Sequence, residues 1–285
     1  MSRIAYVNGQ YLPHRDASVH IEDRGYQFAD GVYEVVTIVG GRMIDEAGHL
    51  DRLWRSLDEL SMDPPMNREP LKFVMREVIR QNGIRDGIIY LQVTRGVAPR
   101  DHPFPKNTPS SLVMTAKRLS MEKGAKTAEE GVSVITVPDI RWTRRDIKSV
   151  SLLPNVLAKQ KAKENGAYEA FQVDEDGMVT EGSSTNAWIV SKEGKIVTRP
   201  TSNSILAGIT RASLIRELEK NGIELELRSF SVEELYSARE VFLTSSTSYV
   251  LPVIKVDDRV IGNGHPGLIS QKLRTIYEKF MSEDA

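Results

Sequence analysis

Between Leu119 and Glu130 the chain changes character: the apolar periodicity of the segments before it stops, and charged residues take its place. A break of this kind in 285 residues reads as a boundary between two separately built cores. It predicts a smaller N-terminal α+β domain over 1–119, an interdomain linker over 120–130 and a larger C-terminal α/β domain over 131–285. On the N-terminal side, Asn8-Gly9 between two short apolar runs is the signature of a type I′ hairpin, because both residues tolerate positive φ. Leu50, Leu53, Trp54, Leu57 and Leu60 fall on one helical face, predicting a helix over 49–60. A second helix is expected over 69–82, closed by Gly83. Strands are expected over 88–94 and 111–116, with a Pro- and Gly-rich loop from Arg95 to Pro109 between them.

Beyond the break, strands are expected at 132–137, 170–173, 178–180, 187–190, 195–198, 240–244 and 250–256. Helices are expected at 155–165, 210–221 and 266–281, and Ser231 with Glu234 forms a capping box for a short one. Helices and strands are mixed in both halves, so the class is α+β or mixed α/β.

The balance of 38 Lys+Arg against 39 Asp+Glu leaves a net charge of -1 and removes the electrostatic case for a nucleic-acid or membrane-surface partner. The absence of cysteine excludes disulfides, thiolate metal sites and a cysteine nucleophile. The five histidines show no metal-ligand spacing, so no metal is expected. There is no secretory pattern at the start and no apolar run of the roughly 20 residues a membrane helix needs, so the expected location is cytoplasmic.

Lys148 is the unusual lysine. It sits in Asp146-Ile147-Lys148-Ser149-Val150-Ser151-Leu152-Leu153, where strand alternation would turn it inward. A buried amine loses its proton more readily and suits Schiff-base chemistry, while the residues alone equally allow a loop lysine. Three further segments carry hydroxyls or glycine at a strand end or helix start: Glu181–Asn186, Leu206–Arg211 and Thr244–Ser248. Such segments present N–H and O–H donors to a phosphate. They are also what ordinary polar turns look like. Arg52 lies on an apolar helix, and Arg100 and His102 lie in the proline-rich loop, where they could grip a carboxylate or simply be solvated. Spacing alone stops at a soluble enzyme able to bind a phosphorylated ligand, with ordinary polar turns as the open alternative.

Taken in order, these segments resemble the fold type IV pyridoxal-phosphate transaminases, and within them the D-amino acid branch. Asp23-Arg24-Gly25-Tyr26-Gln27-Phe28-Ala29-Asp30-Gly31-Val32-Tyr33-Glu34-Val35 resembles the family's N-terminal signature, and His49-Leu50-Asp51-Arg52-Leu53 its phosphate-arginine helix. Gln92–Gly96 through Arg100 and His102 resembles the D-specific carboxylate loop. Asp139–Trp142, Asp146–Ser149, Val179–Asn186, Ile205–Arg211 and Thr244–Ser248 complete the match, which spans nearly the whole chain.

The resemblance implies a two-domain fold and pyridoxal 5'-phosphate held as a Schiff base on Lys148, which also serves as the catalytic base. It implies Glu181 at the ring nitrogen and Leu206 on the ring face. The phosphate falls to Arg52, Ile209, Thr210, Ser245 and Ser246. Tyr33, Arg100 and His102 would hold the substrate carboxylate, with the arginine-histidine loop reaching the partner subunit of a homodimer. The activity implied is transfer of the amino group of D-alanine-like D-amino acids to 2-oxo acids such as 2-oxoglutarate. The alternatives are a branched-chain L-amino acid transaminase, an aminodeoxychorismate-lyase-type enzyme and a non-catalytic globular protein. Thr185, Ser246 and Pro154 depart from the family pattern; the first two keep a hydroxyl, and the third falls at the start of the next helix.

Overall fold

Asn8 and Gly9, at φ 44° and 95°, turn β1 (Ile4–Val7) back onto β2 (Gln10–Pro13), as their residue types require. The structure is a computed structural model and describes residues 3–284. After the hairpin come α1 (Arg24–Phe28), β3 (Gly31–Val39), β4 (Arg42–Met43), α2 (Glu46–Glu59), α3 (Arg68–Asn82), β5 (Gly87–Thr94) and β6 (Ser111–Arg118). The six strands form one antiparallel sheet in the order β2-β1-β6-β5-β3-β4. Sequence patterning missed β3, because its apolar residues run on with little alternation.

In the structure β3 pairs along nearly its whole length with β5, Gly31 opposite Thr94 through Ile38 opposite Gly87. Gly31 is needed there: a Cβ would lie 2.7 Å from the Val93 carbonyl oxygen. Val32, Glu34, Val36 and Ile38 point to one buried face, which packs with Leu50, Leu53 and Leu57 of α2 and Leu71, Met75 and Val78 of α3. Each such apolar side chain contributes roughly 1.5–3 kcal/mol on burial. Glu34 is the one charged side chain of that row, and it is buried too. Helix α3 stops at Gly83, which takes the left-handed φ of 57°.

The second unit holds α4 (Met121–Glu130), β7 (Val132–Pro138), α5 (Leu153–Glu164), β8 (Glu169–Val173), β9 (Val179–Gly182), β10 (Asn186–Val190), β11 (Ile196–Thr198), α6 (Ile209–Lys220), β12 (Leu225–Leu227), α7 (Val232–Ser237), β13 (Glu240–Ser245), β14 (Tyr249–Val256), β15 (Arg259–Val260) and α8 (Leu268–Asp284). Nine strands make one mixed sheet in the order β12-β11-β10-β13-β14-β7-β8-β9, with β15 on β14. The β7–β8 and β11–β12 pairs are parallel, and each is spanned by a helix, α5 or α6, as a parallel pair requires. The capping box of α7 forms as read: Ser231 accepts from the Glu234 N–H, and Glu234 reaches back to Ser231 N–H. Pro154 stands in the first turn of α5, where its missing N–H costs no helix bond.

The chain divides into two compact units, with two corrections to the expected boundaries. One unit runs through Ser120 and also takes in Ile147–Ser151; the other comprises Met121–Asp146 and Leu152–Asp284. The expected linker is helix α4, a charged helix whose one buried residue is Ala128, which is why no apolar pattern shows. The lysine segment belongs to the first unit, not the second. It is not a strand but a short stub laid along the start of β3, beyond the reach of the two-residue β4. Tyr33 N–H donates to the Lys148 carbonyl at 3.0 Å and Val150 N–H to the Gly31 carbonyl at 3.0 Å. Ile147 is buried in the first core.

Candidate active site

In the first unit β3 and α2 set the geometry around Lys148. The Lys148 backbone N–H lies 3.3 Å from Ser56 Oγ of α2, and its Nζ lies 4.2 Å from the centroid of the Tyr33 ring. The lysine is half-buried rather than enclosed, so the inward-facing lysine expected from alternation is not found. Tyr33 also packs against Tyr90 of β5, ring centroids 5.8 Å apart. Two predicted residues, Tyr33 and Lys148, are therefore brought together by the stub on β3.

Arg52 is on the opposite face of β3. Its Nε and Nη2 donate to the two oxygens of Glu34 at 2.7 and 2.8 Å, and His49 Nδ1 meets Glu34 Oε2 at 2.7 Å. All three side chains are buried. Burial alone would raise the Glu34 carboxyl, but Arg52 and His49 outweigh it and hold Glu34 far below the usual carboxylate range. Burial lowers His49, so at neutral pH it is the uncharged imidazole and its Nδ1–H is the donor to Glu34. Glu34 thus presets the orientation of Arg52. The trace of this cluster in the sequence is His49, Arg52 and Ser56 at helical spacing beside the leucines, and the structure shows all three buried.

Arg100 and His102 lie on the exposed loop between β5 and β6, both against Phe28: the Arg100 guanidinium is 5.1 Å from its ring centroid and the His102 ring 5.5 Å. Among the described residues no hydrogen bond or ring contact joins either of them to Tyr33 or Lys148 of the same chain.

In the second unit Glu181, at the end of β9, is buried and ringed by donors. Arg141 Nη1 pairs with Oε1, Asn186 Nδ2 donates to Oε2 at 3.0 Å, and the Leu206 N–H lies 3.1 Å from both oxygens. Burial pushes the Glu181 carboxyl up, against the pull of Arg141 and the Leu206 N–H. Arg141 is itself shared with Asp139, to which its Nε and Nη2 donate at 2.9 and 2.7 Å, while Thr180 Oγ donates to Asp139 Oδ2 at 2.7 Å. Asn186 ties this carboxylate to the next segment through a 3.0 Å bond to the Leu206 carbonyl. A Cβ on Gly208 would lie 2.0 Å from Asn186 Oδ1, so only glycine lets the α6 entry approach this closely. Sequence reading did not single out Glu34, His49, Asn186 or Arg141 as site residues.

Helix α6 starts at Ile209 with no side-chain cap, so the N–H groups of Ile209 and Thr210 are presented at its positive end. Leu206 and Ile209 are half-buried and Thr210 is buried. Ser245 and Ser246 lie where β13 turns into β14; Ser245 Oγ meets Ser248 Oγ at 2.6 Å and accepts from the N–H of Ser248 at 3.2 Å. Asn186 is paired with Thr244 across β10 and β13, so the residue that bonds Glu181 and the Leu206 carbonyl sits beside the end of β13. Ser183 and Ser184, by contrast, give their hydroxyls to buried Glu169 and are turn-forming residues here.

The donor set fits a phosphorylated pyridine. An uncapped helix start suits the phosphate, and a carboxyl held in a desolvated place is best balanced by a cationic ring nitrogen. Buried polar atoms without a partner lie in the same segments: Thr185 Oγ1 and Arg211 Nε. Among the described residues no group of three His, Asp or Glu could hold a metal ion, and no helix is long and apolar enough to cross a membrane.

A family model described as amino-transferase class IV matches residues 31–256. The D-alanine aminotransferase of Bacillus licheniformis is 42% identical over 280 residues, covering 98% of this chain and 97% of its own. Among solved structures, the T.th. branched-chain amino acid aminotransferase with pyridoxamine 5'-phosphate superposes with a TM-score of 0.90 at 27% identity, over 99% of this chain and 95% of the other. The Escherichia coli branched-chain amino acid aminotransferase gives a TM-score of 0.91 at 23% identity, over 100% of this chain and 96% of the other, a likeness of fold.

Proposed function

This chain belongs to the amino-transferase class IV family, and from that premise we propose that it transfers the amino group of D-alanine-like D-amino acids to 2-oxo acids such as 2-oxoglutarate. It is a pyridoxal-phosphate-dependent aminotransferase. When bound, the cofactor supplies an electron sink for the electrons of the donor's broken Cα–H bond. The residues do the rest. Lys148 Nζ would hold the cofactor covalently and would serve as the base that carries the Cα proton. A positioned base of this kind contributes about 10²–10⁴-fold. Glu181 would favour a protonated ring nitrogen, and Leu206 would lie at the ring. Arg52, the N–H groups of Ile209 and Thr210, and the hydroxyls of Ser245 and Ser246 would hold the phosphate. Tyr33, Arg100 and His102 receive the α-carboxylate.

The observation that carries the reading is Glu181: a buried carboxyl, bonded by Arg141, Asn186 and the Leu206 N–H, the last of these just ahead of an uncapped helix start. Handedness rests on Arg100 and His102 and on the D-alanine aminotransferase likeness. The exposure of that loop, and its lack of contact with Tyr33 of its own chain, supports a homodimer in which it serves the partner subunit's site. A cytoplasmic location goes with this reading. The likeness of fold to branched-chain enzymes keeps an L-amino acid transaminase as the second reading.

The test is the absorption spectrum of the purified holoenzyme, with D-alanine and L-leucine added in separate cuvettes. Loss of the visible cofactor band with D-alanine, and its return on adding 2-oxoglutarate, is the expected result. A response to L-leucine alone would overturn the carboxylate assignment and favour the second reading. Lys148→Ala should abolish turnover, and borohydride reduction should no longer add the cofactor's mass to the chain.

A further inference from the structure

Arg24 opens α1, a helix of five residues, and its side chain is only 4% exposed. All three of its guanidinium nitrogens have partners. Nε donates to Asp30 Oδ2 at 2.8 Å, Nη1 to the Asp101 carbonyl at 2.6 Å and Nη2 to the His102 carbonyl at 3.2 Å. The two carbonyls belong to the exposed loop that carries Arg100 and His102, which has no regular structure and contains Pro99, Pro103, Pro105 and Pro109. Asp30 Oδ2 also accepts from Arg95 Nε at 2.8 Å. Arg95 enters that same loop, donates to the Leu60 and Ser61 carbonyls at 2.7 and 3.0 Å, and lies 3.6 Å from the Phe104 ring centroid. One carboxylate therefore orients two guanidinium groups, and these fix the loop at its start and at its middle. Phe28, from the same helix, supports the side chains: Arg24, Arg100 and His102 all pack on its ring.

We infer that Arg24 is a positioning residue for the amino donor: by holding the Asp101 and His102 carbonyls it sets where Arg100 and His102 present their side chains to the α-carboxylate. The inference rests on the reading of those two residues as the carboxylate grip. It explains why this place needs arginine. A planar fork reaches a carboxylate and two carbonyls at fixed angles, whereas a lysine ammonium on a single flexible stem cannot. It also separates Arg24 from cofactor binding, since none of its partners is a residue assigned to the cofactor.

The test uses the holoenzyme, with Arg24→Gln, Arg100→Ala and the double variant, each also prepared with Lys106→Cys. The chain has no cysteine of its own, so that single thiol takes one nitroxide label on the loop. Arg24→Gln should raise the KM for D-alanine by roughly tenfold, the weight of a charge-assisted hydrogen bond. Cofactor content and kcat should change far less. The label should become more mobile, and the KM effects of Arg24→Gln and Arg100→Ala should combine to less than their product. An unchanged label spectrum overturns the inference. So do fully multiplicative effects, or an unchanged KM in Arg24→Gln while Arg100→Ala raises it. An unchanged KM in Arg100→Ala instead overturns the carboxylate reading itself, and this inference with it. Where Arg24→Gln does not fold, Arg24→Lys keeps the buried charge and should show the same two effects.

Discussion

The Arg52 guanidinium meets both oxygens of Glu34, at 2.7 and 2.8 Å, in the interior of the first unit. With Glu34 fully buried and Arg52 nearly so, removing one partner strands the other. Breaking such a pair costs about 3–5 kcal/mol. Glu34→Gln should therefore lower the denaturant midpoint of the first unit sharply. Arg52 pulls the folded-state Glu34 below its ordinary 4.5, so its stabilisation is complete above that pH and is lost as pH falls below it. Unfolding midpoints measured across the acid range should accordingly fall less steeply below 4.5 in the variant than in the parent.

His49 gives a second pH dependence in a different window. Burial holds its folded-state value below the ordinary 6.5, so the unfolded chain takes up a proton that the folded chain refuses. Stability should decline as pH drops below about 6.5, since the unfolded state then binds more protons. His49→Gln keeps a donor for Glu34 without titrating. Its unfolding midpoint should stay flatter between about pH 7 and 5.5, and an equally steep decline would show that His49 is not the group responsible.

Gly208→Ala should disturb the second unit, because the new Cβ would meet Asn186 Oδ1 at 2.0 Å and displace the amide that bonds both Glu181 and the Leu206 carbonyl. Overpacking of this kind costs about 1–3 kcal/mol. The variant should melt lower and lose cofactor faster on dialysis. Gly124→Ala is the control. A Cβ there meets nothing within 4 Å, and it sits inside α4, where alanine is the better helix former.

These residues also show what could be read beforehand. Asn8-Gly9, Gly83 and the Ser231–Glu234 box each act through their own backbone, and all three are legible as local chemistry. The order of the motifs along the chain likewise disclosed the family. What stayed hidden is held by pairing at a distance. β3 carries a nearly unbroken apolar run, and it is fixed by β5 and the lysine stub rather than by its own pattern. Lys148 looked like a strand residue because its neighbours alternate, yet its stub is placed by two backbone bonds to residues more than a hundred positions away. The Arg141–Glu181 contact likewise joins residues 40 apart, and no local signal announces it.

That contact leads to the last prediction. Burial raises the Glu181 carboxyl, and Arg141 is the main force against it, with the Leu206 N–H adding to the pull. Arg141→Gln removes the charge while keeping a donor, so Glu181 should protonate at a higher pH than in the parent. On the proposed role of Glu181 at the ring nitrogen, a protonated carboxyl would no longer favour the cationic ring, and turnover should fall with it. The acid limb of the kcat/KM profile for D-alanine should therefore move to higher pH in Arg141→Gln, while the alkaline limb stays in place. Asp139 is the check on this cause. It shares Arg141 through bonds of 2.9 and 2.7 Å, and Asp139→Asn would leave more of the guanidinium's charge to Glu181. That variant should shift the acid limb the other way, to lower pH. Movement of the acid limb in the same direction in the two variants would mean that Arg141 acts on the fold of the β9 end and not on the Glu181 proton.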